Sequence, residues 1–135
     1  MIELQVQSKS KIEAIDATEL ITTRIWPDGL LWISCPHTTA ALVVGEGDDD
    51  MLADYERAAA ELFEPYQPFR HHKNDNPNTA AHLVSSIAGT QLMLPVQGGR
   101  VLLGTYQRII FLELDGPKAR HLQAVSIPVL VEQEA

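Results

Sequence analysis

The chain has 135 residues, the size of one ordinary domain with a sizeable core, and 45% hydrophobic with 21% charged residues is usual for a soluble globular protein. Its 10 basic residues against 18 acidic ones leave a net charge of −8, which argues against a nucleic-acid partner because such proteins carry a basic face. No apolar run approaches the roughly 20 residues of a membrane helix, and Met1-Ile2-Glu3-Leu4-Gln5 has a strand pattern rather than that of a signal peptide, so no membrane partner and a cytoplasmic location are expected.

Residues 2–9 alternate apolar and polar side chains, which predicts a half-buried strand. Over residues 13–25 the period changes. Ala14, Ala17, Ile21 and Ile25 recur every three to four residues and predict an amphipathic helix ended by the turn Trp26-Pro27-Asp28-Gly29. Residues 30–35 and 40–44 read as two strands broken at His37-Thr38-Thr39. The only cysteine, Cys35, ends the first of them; it cannot form an internal disulfide and reads as a buried thiol. Asp48-Asp49-Asp50 opens a helix, since carboxylates suit the positive end of the helix dipole, with Met51, Leu52, Tyr55, Ala59, Leu62 and Phe63 as its core stripe.

Pro65 and Pro68 stop that helix, and a polar loop runs over 66–78. Asn78 is placed to cap a helix over 79–88 that closes at Gly89, with Ala80, Leu83, Val84 and Ile87 inward and His82, Ser85 and Ser86 on a polar stripe. The remainder is β: 91–96 and 100–103 around the turn Gln97-Gly98-Gly99, then 107–114 and 122–131 on either side of Asp115-Gly116-Pro117-Lys118. The fold class expected is α+β: one domain over residues 1–135, a mostly antiparallel sheet or sandwich covered by two or three helices.

His37, His71 and His82 stand out because each sits where its segment turns polar. An imidazole offers a nitrogen ligand when neutral and a cationic donor when protonated, so three of them suit a divalent metal, zinc or magnesium, or a phosphate. The spacing matches no short zinc signature, and the ordinary alternative is that each ring bonds a backbone group. His72 and His121 read as surface residues. Thr105 and Gln107, in Leu103-Gly104-Thr105-Tyr106-Gln107, need polar partners beside apolar strands. Glu113 ends an apolar strand and reads first as half of an ion pair with Lys118 or Arg120, otherwise as a general base or metal ligand. Glu46 is an exposed carboxylate between two glycines, and Lys118, Arg120 and His121 form a basic cluster suited to a small anion.

In chain order, His37-Thr38-Thr39-Ala40-Ala41-Leu42, Glu46, Pro68-Phe69-Arg70-His71 with His82, Leu94-Pro95-Val96, Leu103-Gly104-Thr105-Tyr106-Gln107, Glu113 and Asp115-Gly116-Pro117-Lys118-Ala119-Arg120 resemble the YjbQ family over about residues 5–128. The resemblance implies an α+β homotrimer with a pocket around His37, His71 and His82. It also implies thiamine-phosphate synthase-like activity, in which a pyrimidine diphosphate joins a thiazole phosphate and pyrophosphate leaves. Departures from the family pattern are Tyr106 for Trp, Lys118 for Arg, and Gly45 and Gly47 for asparagines.

Two classes of function follow. In an enzyme, His37, His71 and His82 hold a metal or the diphosphate, Lys118 and Arg120 assist, Thr38, Thr105 and Gln107 orient a small phosphorylated metabolite, and Glu46 or Glu113 serves as base or as a histidine's partner. Metal-assisted hydrolysis is the rival chemistry there. In a non-catalytic trimer, the same pocket only binds a metal or an anionic metabolite. The apolar stretches Ile109 to Leu112 and Ile127 to Val131 ask for cover on both faces, which a partner subunit can provide.

Overall fold

A computed structural model describes residues 1–72 and 76–130, so the middle of the predicted 66–78 loop and residue 131 of the last predicted strand lie outside the described residues. Among the described residues, eight strands form two antiparallel sheets. The larger sheet runs β1 (Ile2–Gln7), β8 (Ala119–Ile127), β3 (Gly29–Ser34), β5 (Gln91–Gln97) and β6 (Arg100–Val101). The smaller runs β2 (Glu13–Asp16), β7 (Arg108–Glu113) and β4 (Ala40–Gly45). Helices α1 (Thr18–Thr22), α2 (Asp49–Glu61) and α3 (Thr79–Ala88) complete the domain, with a 3-10 turn at Glu64–Tyr66.

Three layers result. Leu4, Leu31, Ile33, Leu94 and Leu122 of the large sheet meet Leu42, Ile109 and Phe111 of the small one in the main core. A second core lies on the far face of the small sheet, where Ala41, Ile110 and Leu112 pack against Ala59 of α2 and Ala81 and Val84 of α3. Strand β7 is therefore covered on both faces from within the chain. Ile109 to Leu112 thus has the cover on both faces that its sequence asks for, supplied by the chain itself.

The predicted helix over 13–25 is the main departure. Glu13–Asp16 is a strand instead, with Ala14 opposite Leu112 and Ile15 opposite Phe111. The three-to-four spacing of apolar residues arises because Ala14 faces one core and Ala17 and Ile21 the other, while Ile25 is 90% exposed. Asp16 ends the strand. Its side chain accepts from the backbone N–H (3.0 Å) and hydroxyl (2.5 Å) of Thr18, which starts the short α1. Asp48 caps α2 through Met51 N at 2.9 Å, as the acidic first turn predicts. Asn78 does not cap α3; its amide reaches Asp115 at 3.3 Å. Helix α3 is also rotated from expectation, burying Ala81, Val84 and Ser85 and leaving Ile87 69% exposed.

Gly116 shows why the Asp-Gly-Pro turn must be glycine at its centre. A Cβ there would lie 2.6 Å from Ser8 Oγ and 2.8 Å from Glu113 Cγ, so the turn packs directly on two buried polar groups. Among the described residues no helix is long and apolar enough to cross a membrane.

Candidate functional site

The break between β3 and β4 carries His37, Thr38 and Thr39 to one end of the sandwich, where α3 runs beside β4. There His37 and Thr38 line an open cleft of about 350 Å³ with His82, Ser85, Ser86, Gly89 and Thr90. The hydroxyls of the α3 stripe thus face the histidine loop. Ser85 is buried and donates to the Ala40 carbonyl at 2.6 Å, anchoring the helix to β4.

His82 Nδ1 lies 3.0 Å from the Thr38 carbonyl oxygen. A carbonyl only accepts, so Nδ1 carries the proton and Nε2 of the neutral ring keeps its lone pair. The His71 ring stands edge-on to His82, with centroids 5.2 Å apart and planes at 86°. The His71 carbonyl accepts from the Thr79 hydroxyl at 2.8 Å, which ties the loop to the start of α3.

His37 Nε2 sits 3.1 Å from the backbone N–H of His121 and 3.2 Å from its carbonyl. One neutral tautomer accepts from the first; the other donates to the second. Burial and then the nearby Arg120 charge hold the His37 pKa below its ordinary value, so the neutral ring is favoured. The His121 ring lies 6.5 Å from that of His37, centroid to centroid, and its Nδ1 is buried without a hydrogen-bond partner among the described residues. Reading His121 as a plain surface residue is therefore corrected. The pairing of β8 with β3, Gln123 opposite Ser34, is what brings His121 beside the His37 loop.

The other candidates divide among three places. Glu46 and Thr105 line a separate cleft of about 360 Å³ with Asp16, Gly47, Asp48, Tyr106 and Arg108. Within it Arg108 Nε pairs with Asp16 at 2.7 Å. Gln107 closes its own loop, its Oε1 accepting from Gly104 N at 2.8 Å.

Glu113 and Arg120 form a buried ion pair at 2.5 Å, with side chains 0% and 5% exposed. This is the ion pair the sequence suggested for Glu113. Glu113 also accepts from the Ser8 hydroxyl at 2.7 Å and from the backbone N–H groups of Leu114 and Asp115. Burial raises its pKa, but these bonds, above all those from Arg120, outweigh it and hold the carboxyl below its ordinary value. An ionised carboxylate this enclosed and fully paired has no accessible lone pair to offer a substrate. Lys118 pairs with Asp115 at 3.2 Å, and Lys11 shares that carboxylate. Arg120 is thus neutralised by Glu113, while Lys118 and Lys11 share the one charge of Asp115. Cys35 is 2% exposed and burial pushes its thiol up to about 11, the state of an unreactive structural cysteine.

A divalent metal fits this donor set only in part. His82 has the arrangement of a ligating histidine, Nδ1–H on a backbone carbonyl and Nε2 available. His37 can ligate through Nδ1 only in the tautomer that donates to the His121 carbonyl. No group of three His, Cys, Asp or Glu side chains among the described residues is arranged to hold a metal ion.

The family model described as UPF0047 protein YjbQ-like matches residues 2–128. The chain belongs to this family. A UPF0047 protein of Archaeoglobus fulgidus is 36% identical over 122 residues, 90% of this chain and 96% of that protein. The UPF0047 protein YugU of Bacillus subtilis is 34% identical, covering 87% of this chain and 91% of its own. Among solved structures, a hypothetical protein of Aeropyrum pernix K1 superposes with a TM-score of 0.81 at 33% identity, covering 91% of this chain and 94% of its own. An uncharacterized conserved protein of the YjbQ/UPF0047 family from Clostridium acetobutylicum gives 0.83 at 29% identity, covering 94% and 100%. The two-sheet α+β architecture is thus that of YjbQ-like proteins.

Proposed function

We propose that the histidine cleft binds a small phosphorylated metabolite and acts as a thiamine-phosphate synthase-like transferase. The observation that carries this reading is the hydrogen bond from His82 Nδ1 to the Thr38 carbonyl, beside the His71 ring, in a cleft lined also by His37 and by the hydroxyl residues Ser85, Ser86 and Thr90. With Nδ1–H held by the carbonyl, His82 turns Nε2 toward the cleft, where a proton on it can be donated to a leaving diphosphate. In the reaction, the bond between the pyrimidine's methylene carbon and the diphosphate oxygen breaks. Its electron pair departs with pyrophosphate, and the thiazole nitrogen's lone pair forms the new carbon–nitrogen bond. At about 350 Å³ the cleft is near the small end of ligand sites.

The assay is thiamine phosphate formation by purified protein and by its His82→Ala variant. Product formed by the parent and lost in the variant is expected. Equal rates would refute the role of the cleft. Binding of pyrimidine diphosphate without turnover would instead favour a non-catalytic metabolite-binding protein.

A second reading rests on the same bond: neutral His82, with its Nε2 lone pair, is poised as a metal ligand, and a bound zinc or magnesium would supply Lewis-acid chemistry for diphosphate transfer or hydrolysis. Metal analysis of the parent and of His82→Ala separates the two readings.

Self-association is part of the proposal. On the outer face of the large sheet, the rungs Met93–Trp32–Val125 and Pro95–Leu30–Ile127 present apolar side chains, while α2 and α3 pack on the small sheet. A homotrimer would cover this face.

A further inference from the structure

The buried pair Glu113–Arg120 reaches the histidine loop. Arg120 Nη2 donates to both the carbonyl (3.1 Å) and the hydroxyl (2.8 Å) of Thr39. Leu114 N donates to the same carbonyl at 3.1 Å. Glu113 orients the guanidinium from the other side, taking Nε at 2.9 Å and Nη2 at 2.5 Å. Two residues from Arg120 along the main core face of β8 stands Leu122, so the guanidinium emerges from packed strand and cannot swing freely.

Among the described residues the loop has few other hydrogen bonds, one of them from His37 N to the Cys35 carbonyl at 2.8 Å. Thr39 is held by Arg120 and Leu114, Thr38 meets His82, and His37 meets the backbone of His121, the residue after Arg120. A buried ion pair is seldom retained for stability alone, because a well-packed apolar pair does as well.

We propose that Arg120, oriented by Glu113, is the positioning residue of the histidine cleft. It fixes Thr39 through its hydroxyl and the carbonyl of the Thr39–Ala40 peptide, and so the orientation of the adjoining Thr38 carbonyl that selects the Nδ1–H form of His82. Arg120 therefore acts through Thr39 and touches no substrate, in place of the anion-binding role suggested by its charge. The cleft's use as a ligand site rests on the preceding proposal; the positioning itself does not.

The test reads the imidazoles by nitrogen-15 NMR in the ligand-free protein, and then follows binding on adding pyrimidine diphosphate. Thr39→Val removes one acceptor and leaves the ion pair; Arg120→Lys keeps the charge and loses the fork. In both variants the ratio of Nδ1–H to Nε2–H tautomer at His82 is expected to fall about fivefold, the effect of one hydrogen bond. An unchanged ratio in folded Thr39→Val overturns the proposal, whether or not Arg120→Lys folds. A shifted ratio with no diphosphate binding even by the parent would leave the positioning role standing and reject the proposed function.

Discussion

His82 and Thr38 meet across 44 residues of sequence, the imidazole Nδ1 lying 3.0 Å from the carbonyl oxygen. That contact fixes which ring nitrogen faces a ligand. His82→Ala is expected to weaken ligand or metal binding in the cleft by about 10- to 100-fold, the usual scale for an orienting histidine network. Because His82 is only half-buried, the melting temperature should barely change. Titration calorimetry beside a thermal melt checks both; a collapse of the melt would make His82 structural.

Arg120 and Glu113 should behave as a unit. Arg120→Met leaves an enclosed carboxylate without its partner and is expected to cost about 3–5 kcal/mol. Adding Glu113→Gln should recover a substantial part of that loss. Urea unfolding of the two single variants and the double variant measures the coupling; additive losses would contradict it.

Acid should destabilise the protein. Glu113 and Asp115 both have pKa values below the ordinary carboxylate range: burial opposes this, and the Arg120 and Ser8 bonds to Glu113 and the Lys11 and Asn76 bonds to Asp115 outweigh it. The unfolded chain therefore takes up protons first as pH falls. Their stabilisation is complete above about pH 5 and is lost as pH drops through the ordinary carboxylate range toward the folded values. His37, also lowered, adds a loss of the same sign that begins below about pH 6.5. The urea midpoint should fall modestly from pH 7 to 5 and steeply below it. A midpoint that rises on acidification would refute the sign.

Gly45 and Tyr55 are fitted to each other. The Tyr55 hydroxyl donates to the Glu46 carbonyl at 2.9 Å, and a Cβ on Gly45 would lie 2.5 Å from that oxygen. Gly45→Ala should displace the phenol and cost about 1 kcal/mol, while Tyr55→Phe should cost a similar amount. In the double variant the losses should be less than additive, which denaturation of the four proteins would reveal.

Trp32 lies at the centre of the outer face of the large sheet, between Met93 and Val125. If a second copy covers that face, Trp32→Glu should shift the protein from oligomer to monomer in light scattering without unfolding it. A parent that is already monomeric would dispose of the trimer.

Much of the fold was legible because local pattern and global role agreed. The β1 alternation, the apolar run of β3, the acidic start of α2 and the Gly98–Gly99 turn each carry their own signal. Residues 13–16 misled because a strand lying between two cores buries both faces, and with Ala17 and Ile21 that produces helical spacing by accident. For the site, the polar stripe of α3 and the three histidines were visible. Their relation to His121 was not, since pairing of β8 with β3 decides it. Glu46, Thr105 and Gln107 share motifs with the histidines but no surface in one chain. Adjacency in a motif list carries no information about which strand end a residue occupies.

Strand β8 alternates its duties residue by residue: Arg120 inward to Glu113, His121 outward beside His37, Leu122 and Ala124 into the core, Val125 and Ile127 onto the open face. Strand periodicity makes these assignments inseparable. A single residue inserted or deleted in the turn at 115–118 would exchange every one of them at once, pointing the guanidinium at solvent and the imidazole at the core. The length of that turn should therefore tolerate less variation than almost any single side chain on the strand it feeds.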